Sequence, residues 1–125
     1  MNRLVIVGCG RLAEIITNAA VKGMLPDYEL VGVYSRTASK AEHIANKMRQ
    51  HGKMCAACHT LKELLELKPD YLVESASPAA MKELALPTLE NGTSIITLSI
   101  GALADTSFYE KVKETAKAND TRAYL

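Results

Sequence analysis

The sequence predicts an α/β fold of the doubly wound class, with about six parallel strands in one open sheet and helices on both of its faces. Six short apolar runs alternate with segments of helical periodicity along the 125 residues. The connections between these elements are short, which is typical of parallel strands joined by crossover helices. We therefore expect the strand order 3-2-1-4-5-6 and one domain over residues 1–125.

Each strand is predicted from a short apolar run that is bounded by turn residues. The first run, "RLVIV", is followed at once by glycines, and the last run is "TRAYL". The strands between them are similarly short, as expected for strands buried on both faces of a parallel sheet. The predicted strands are 3–7, 29–34, 53–58, 71–74, 94–98 and 121–125.

Each helix is predicted from the spacing of its apolar residues and from its capping residues. The segment "LAEIITNA", residues 12–19, has apolar residues at the i, i+3, i+4, i+7 positions of an amphipathic helix. Ser39 with Glu42, and Thr60 with Glu63, fit the capping box that opens a helix. The predicted helices span about 11–21, 39–50, 60–69, 77–92 and 107–118.

Composition argues against several classes of function. The net charge is +1, aromatic residues make up 5% of the chain and Trp is absent, so we expect no nucleic-acid surface. The first apolar run has only about five residues before the glycines, so we expect neither a signal peptide nor a membrane span. Three cysteines without an export signal favour free thiols and a cytoplasmic protein.

Residues 8–13, "GCGRLA", fit the pattern G-x-G-x-x-A directly after the first strand. Gly8 allows a tight turn, Gly10 lets the backbone approach a pyrophosphate, and Ala13 lets the helix pack close to the sheet. The N–H groups at the helix start would then hold the phosphates of a dinucleotide. A tight structural turn without a ligand is the alternative. The predicted contacts are Gly8, Cys9, Gly10, Arg11 and Leu12.

The end of the second strand bears on which dinucleotide binds. An NAD-binding domain usually has Asp or Glu there for the ribose 2′-OH. Here the strand ends "VYSRT" with no acid, and Arg36 lies between the hydroxyls of Ser35 and Thr37. This arrangement suits a 2′-phosphate, so we predict NADP binding at least as tight as NAD binding. The alternative is a solvated arginine in a helix-capping turn.

Small residues follow the fourth and fifth strands, in "SASP" (75–78) and "SIGA" (99–102). Ligands of open α/β sheets bind outside the carboxyl ends of the strands, so these segments leave room for the nicotinamide ribose. Turns with helix caps are the alternative, and Ser77 with Pro78 is a good helix start. Glu74 faces the crevice as an acid or bonds to nearby backbone. The predicted contacts here are Ala76, Ser77, Pro78, Ser99, Gly101 and Ala102.

The segment "CAACH" has the C-x-x-C-H spacing of a c-type haem site and the C-x-x-C spacing of a redox or zinc half-site. Cys55 and Cys58 lie three apart in a predicted strand, so their side chains point to opposite faces of the sheet. Only His59 is near as a further ligand. We therefore interpret both cysteines as small core residues and predict no metal site.

Two stretches resemble the L-aspartate dehydrogenases. Residues 73–105, "VESASPAAMKELALPTLENGTSIITLSIGALAD", are similar to the V-E-x-A-S-P strand end, helix and S-x-G-A-L-A-D segment of that family. "VGCGRLAEII" resembles the family's opening, and the resemblance covers essentially the whole chain. Homoserine dehydrogenases are more distant relatives with a similar nucleotide domain.

The resemblance implies an enzyme that oxidises L-aspartate to iminosuccinate by hydride transfer to the nicotinamide of NAD or NADP. The imine hydrolyses to oxaloacetate and ammonia or feeds NAD biosynthesis. The family's cofactor lies against residues that match Gly8 to Leu12, the end of the second strand, Ala76 to Pro78, and Ser99 to Ala102. The resemblance thus implies the same cofactor contacts that the residues at the strand ends predict.

The family's enzymes continue past "RAYL" into a second domain, which holds the substrate, the catalytic histidine and much of the oligomer interface. His43, His51 and His59 do not match that histidine, so we predict no catalytic residue within residues 1–125. The small amino-acid substrate would bind through the second domain, and a homodimer is possible. The alternatives are a homoserine dehydrogenase-like enzyme and a non-catalytic NAD(P)-sensing module acting on a partner.

Overall fold

The structure is a computed structural model that describes residues 1–124. Within this range six parallel strands form one sheet in the order β3-β2-β1-β4-β5-β6, which confirms the predicted fold class and strand order. The strands are β1 (Asn2–Val7), β2 (Tyr28–Tyr34), β3 (Ala56–Cys58), β4 (Tyr71–Glu74), β5 (Ser94–Thr97) and β6 (Ala123–Tyr124). The helices are α1 (Arg11–Val21), α2 (Ala38–Gln50), α3 (Leu61–Glu66), α4 (Pro78–Glu90) and α5 (Thr106–Ala118).

The hydrophobic core lies on both faces of the sheet. Along β1, Leu4 and Ile6 pack into one cluster with residues of α1 and α2, while Val5 and Val7 pack into a second cluster with residues of α3, α4 and α5. All four side chains are buried because the strand is covered on both sides. The central strands therefore form the core, and the turns at their ends are the segments that a ligand can reach.

The start of α2 differs from the prediction. The capping box of Ser39 and Glu42 is wrong, because α2 begins at Ala38 and Ser39 already lies inside the helix. Thr37 is the N-cap residue and its side chain accepts no capping hydrogen bond. Instead, the N–H of Thr37 donates to Oγ of Ser35 at 3.2 Å. The Ser35 hydroxyl thus stabilises the turn after β2, and α2 begins one residue earlier than predicted.

The start of α3 agrees with the prediction. Oγ1 of Thr60 accepts a hydrogen bond from the N–H of Glu63 at 3.1 Å. The Glu63 carboxylate accepts from the N–H of His59 at 2.7 Å, one residue before the N-cap itself. Both interactions satisfy backbone donors that the helix leaves open at its start.

Several other boundaries differ from the prediction. Helix α3 ends at Glu66 rather than at residue 69, and β6 begins at Ala123 rather than at residue 121. The third strand begins at Ala56 rather than at residue 53, and a 3₁₀ helix over Ile100–Ala104 replaces the turn expected after the fifth strand. Asp105 then caps α5 by accepting from the N–H of Phe108 at 3.2 Å. Of the predicted sixth strand, residue 125 lies outside the described residues. Across residues 1–124, every helix is too short or too polar to traverse a lipid bilayer.

Candidate functional site

The site is built around the turn that follows β1, residues 8–10, which we name the glycine turn. Gly8 has a φ of +94°, a conformation that residues with a Cβ rarely adopt. A Cβ placed on Gly8 would lie 2.9 Å from N of Ala76 and 3.0 Å from its Cα, so no other residue fits. The N–H of Gly8 donates to the carbonyl of Tyr34 at 2.9 Å. The glycine turn is thus held between the ends of β2 and β4.

Helix α1 begins directly after the glycine turn and has no side-chain cap. Gly10 is its N-cap residue, and within 4 Å of a Cβ built on Gly10 there is no atom of the described chain. Ala13 is fully buried against the sheet, as predicted. The first N–H groups of a helix have no partner within the helix, and its dipole adds positive potential there. This combination, with open space in front of it, fits a phosphate group.

A cavity of about 310 Å³ lies beside the glycine turn, at the carboxyl ends of β1, β2 and β4. We name it the crevice. It brings together five of the predicted contact residues, from three separate strand ends: Gly8, Ser35, Arg36, Ala76 and Ser77. Sequence reasoning missed the helix residues that complete its wall, since only their position in the fold marks them: Leu61, Ala80, Glu83 and Leu84.

The other predicted contacts are not part of the wall of the crevice. Gly101 is next to the start of α4, because a Cβ built on it would lie 3.7 Å from Cγ of Pro78. Ala102 is fully buried in the core, so its side chain does not face solvent and only its backbone is left for a ligand. Roles for the remaining contacts stay predictions: Cys9, Gly10, Arg11, Leu12, Thr37, Pro78 and Ser99.

Two side chains accept backbone hydrogen bonds at the start of α4 and in the turn before it. Oγ of Ser77 accepts from the N–H of Ala80 at 3.0 Å, and Pro78 occupies the first turn, as predicted. Glu74 is fully buried, and its Oε2 accepts from the N–H groups of Ala76 at 2.8 Å and Ser77 at 2.9 Å. Of the two alternatives for Glu74, the bond to nearby backbone is therefore confirmed.

The cysteines of "CAACH" belong to the core. Cys55 packs into the cluster on the α1 and α2 face and Cys58 into the cluster on the opposite face, which confirms that they point apart. Burial raises the pKa of the Cys55 thiol to about 12 and also raises the pKa of Cys58. Both side chains are thus protonated packing groups at neutral pH.

Cys9, inside the glycine turn, is half-buried and its thiol donates to the carbonyl of Tyr34 at a sulfur–oxygen distance of 3.9 Å. Burial raises its pKa, and the nearby Ser35 hydroxyl and Lys40 charge oppose that rise only in part. A reactive thiol at a helix start would have a lowered pKa, so the raised pKa favours a small packing side chain at Cys9.

A doubly wound parallel sheet with a glycine turn, an uncapped first helix and a crevice where the strand order reverses defines the class of dinucleotide-binding Rossmann domains. The family described as "Homoserine dehydrogenase, NAD binding domain" matches residues 8–125. The chain therefore belongs to this family. The match makes it an NAD-binding domain of oxidoreductase type, for which NAD or NADP is the cofactor.

Comparison with known proteins supports the L-aspartate dehydrogenase resemblance. The L-aspartate dehydrogenase of Methanocaldococcus jannaschii is 31% identical over 125 residues, which are 100% of this chain and 45% of that protein. An oxidoreductase structure from Thermotoga maritima is 30% identical with a TM-score of 0.71, covering 99% of this chain and 37% of the other. The chain thus spans about half the length of the curated relatives it matches.

The aspartate dehydrogenase structure of Thermotoga maritima has a TM-score of 0.72 at 22% identity, covering 99% of this chain and 45% of the other. At this identity it shows the shared fold. Together with the family match, these comparisons make the chain the NAD-binding domain of an oxidoreductase similar to L-aspartate dehydrogenase.

Proposed function

We propose that the chain is the cofactor-binding half of an NAD(P)-dependent L-aspartate dehydrogenase. The C2–H bond of L-aspartate breaks, hydride passes to the nicotinamide, and loss of an amino proton gives iminosuccinate. Water then converts iminosuccinate to oxaloacetate and ammonia. The observation that supports this substrate is the 31% identity, along all 125 residues, with the L-aspartate dehydrogenase of Methanocaldococcus jannaschii.

In this proposal residues 1–125 bind and orient the dinucleotide, whereas a second domain outside this chain binds L-aspartate and supplies the catalytic groups. The start of α1 holds the pyrophosphate, because its N–H groups are uncapped beside the open space at Gly10. The crevice, with Arg36 at its rim, holds the adenosine end. The small residues after β4 and β5 accommodate the nicotinamide ribose, and no residue of this chain is assigned a catalytic role.

The turn after β2 favours NADP at least as much as NAD. Arg36 is exposed at the crevice and Ser35 lies next to it, while the turn contains no carboxylate to accept a ribose 2′-OH. An arginine beside hydroxyls forms charge-assisted hydrogen bonds with a phosphate. Titration of the chain with NADPH and with NADH tests this proposal through the two dissociation constants. Clearly tighter binding of NADH would contradict it.

The substrate is tested with the gene product at its native length. Formation of reduced dinucleotide is followed with L-aspartate and with L-homoserine, and we expect turnover with L-aspartate. The description of the matching family favours L-homoserine as the second candidate. Turnover with L-homoserine alone would establish that candidate, whereas a chain that binds neither dinucleotide would contradict both.

Three further points extend the proposal. The cysteines at 9, 55 and 58 are free thiols, which fits a cytoplasmic enzyme. The iminosuccinate that it forms would supply NAD biosynthesis. A homodimer stays a prediction, and sedimentation analysis of the native-length protein tests it.

A further inference from the structure

We propose that Glu74 is a positioning residue that holds the turns after β4 and β5 in place under the dinucleotide. This inference rests on the proposed function, because it assumes that the crevice and the glycine turn bind a dinucleotide. Glu74 is fully buried, so it does not contact the ligand itself. It acts through the backbone segments that its carboxylate holds.

The carboxylate first fixes the turn after β4, residues 75–77. Glu74 is the last residue of β4, and its Oε2 accepts from the N–H groups of Ala76 and Ser77 at 2.8 and 2.9 Å. The turn therefore folds back over the end of its own strand. Two backbone donors of this turn thus share one buried oxygen.

The same carboxylate also fixes the end of β5. Oε1 of Glu74 accepts from the Thr97 hydroxyl at 2.6 Å, and Oε2 accepts from the Ser99 hydroxyl at 3.0 Å. The Thr97 Oγ1 in turn accepts from the N–H of Ser99 at 2.9 Å. One side chain thus joins the turns after two neighbouring strands.

The turn after β4 also packs directly against the glycine turn. N of Ala76 lies where a Cβ on Gly8 would collide, and Oγ of Ser75 donates to the carbonyls of Val7 at 3.2 Å and Gly8 at 3.3 Å. Ala76 and Ser77 line the crevice itself. A shift of residues 75–77 would therefore move the wall of the crevice and release the glycine turn.

The chemistry of the position requires a carboxylate. The two oxygens of the Glu74 side chain accept four hydrogen bonds, three at Oε2 and one at Oε1. A glutamine has nearly the same volume, but its amide nitrogen would face at least one of these donors. Buried donors without a partner are unfavourable, so the turns would rearrange to reach water.

The test compares Glu74→Gln with Leu30→Ala. Leu30 is buried in the core near the amino end of β2, away from the crevice, so its truncation lowers stability without touching the site. Dissociation constants for NADH and NADPH are measured by titration, thermal unfolding by circular dichroism, and amide exchange by NMR. We expect Glu74→Gln to weaken both dinucleotides about tenfold or more. Exchange should quicken at the N–H groups of Ala76, Ser77 and Ser99.

We expect Leu30→Ala to bind both dinucleotides as the unchanged chain does while it is folded. Equal affinity of Glu74→Gln and the unchanged chain, or an equal loss of affinity in Leu30→Ala, would overturn the inference. Should Glu74→Gln not fold, Thr97→Val removes one donor at nearly constant volume, and we expect about fivefold weaker binding. Unchanged affinity of Thr97→Val would then overturn it. An unchanged chain that binds neither dinucleotide would overturn the proposed function itself.

Discussion

At the amino ends of β1, β2 and β3 the molecule has a cavity of about 670 Å³, whereas the crevice at the carboxyl ends is about 310 Å³. The larger cavity has its polar groups committed to closing the fold. Arg3 donates to the carbonyl of Leu67 through Nε at 3.0 Å and Nη2 at 2.8 Å, and its N–H donates to Asp70 at 2.8 Å. The other charged residues in its wall are Glu29, Arg49 and Lys53, and its lining includes no glycine turn or helix start.

The crevice differs in where its lining residues come from. Gly8, Arg36 and Ala76 lie at the ends of three different strands and together line it, next to the uncapped start of α1. Binding sites are defined by a few convergent polar groups in a concave surface, and not by volume alone. Strand order brings these ends together, and this is where we propose that the dinucleotide binds.

Substitution of a glycine at each end is the strongest test of this difference. Gly8→Ala combines a φ of +94° with a contact of 2.9 Å to backbone, so we expect about a hundredfold weaker dinucleotide binding. Gly23→Ala, at the amino end, has a φ of +74° but no atom of the described chain within 4 Å of the added Cβ. We expect it to lose about 1 kcal/mol of unfolding free energy and no affinity. Calorimetric titration and thermal unfolding measure both.

Equal affinities of the two alanine variants would contradict the close-contact argument at Gly8. Such a result would mean that the turn after β4 moves aside at little cost. Only the charged groups would then distinguish the two ends of the sheet as binding surfaces.

Substitution of an arginine at each end has the next largest effect. Arg36→Gln removes the charge at the crevice, and we expect about tenfold weaker NADPH binding with NADH binding nearly unchanged. Arg49→Gln removes a charge at the amino-end cavity, where Arg49 already donates to Asn46 at 3.0 Å. We expect no change in either dissociation constant there. A parallel loss of NADH affinity in Arg36→Gln would show that Arg36 does not recognise the 2′-phosphate.

The thiols provide a smaller, pH-dependent test. Burial raises the pKa of Cys55 from 9.0 to about 12. Between these two pH values the thiol stays protonated in the folded chain but ionises in the unfolded chain. Its contribution to stability is full below pH 9.0 and is lost as the pH rises towards about 12. We expect the unfolding free energy of the unchanged chain to fall more steeply over this range than that of Cys55→Ala. Parallel pH profiles from denaturant titration would contradict the burial of this thiol.

The smallest effect concerns stability without affinity. Thr88 is fully buried near the end of α4, and among the described residues its hydroxyl has no hydrogen-bond partner. We expect Thr88→Val to raise the unfolding free energy by about 1 kcal/mol or less. Thr17 is equally buried but donates to the carbonyl of Ala13 at 2.7 Å, so Thr17→Val serves as the control and should not stabilise. Destabilisation by Thr88→Val in thermal unfolding would show that its hydroxyl is bonded.

The strand order and the glycine turn were predictable because both follow from local sequence patterns. Apolar runs determine the strands, and G-x-G-x-x-A places Gly8, Gly10 and Ala13 at fixed offsets. The bond of Glu74 to nearby backbone was predictable as one of two alternatives, but its bond to Thr97 was not, because Thr97 lies 23 residues away and only the pairing of β4 with β5 brings them together. Capping residues lie between these cases, since the Thr60 cap of α3 was predicted correctly and the Ser39 cap of α2 was not.

The uncapped start of α1 links ligand binding to the stability of the whole domain. Among the five α-helices of residues 1–124, α3, α4 and α5 have side-chain caps, whereas α1, after the glycine turn, and α2 do not. A phosphate bound at the start of α1 would accept hydrogen bonds from its free N–H groups, as a side-chain cap does in other helices. By mass action, a ligand at about a hundred times its dissociation constant adds about 2.7 kcal/mol to the unfolding free energy. If the dinucleotide binds there as proposed, the melting temperature of the domain rises with the dinucleotide concentration.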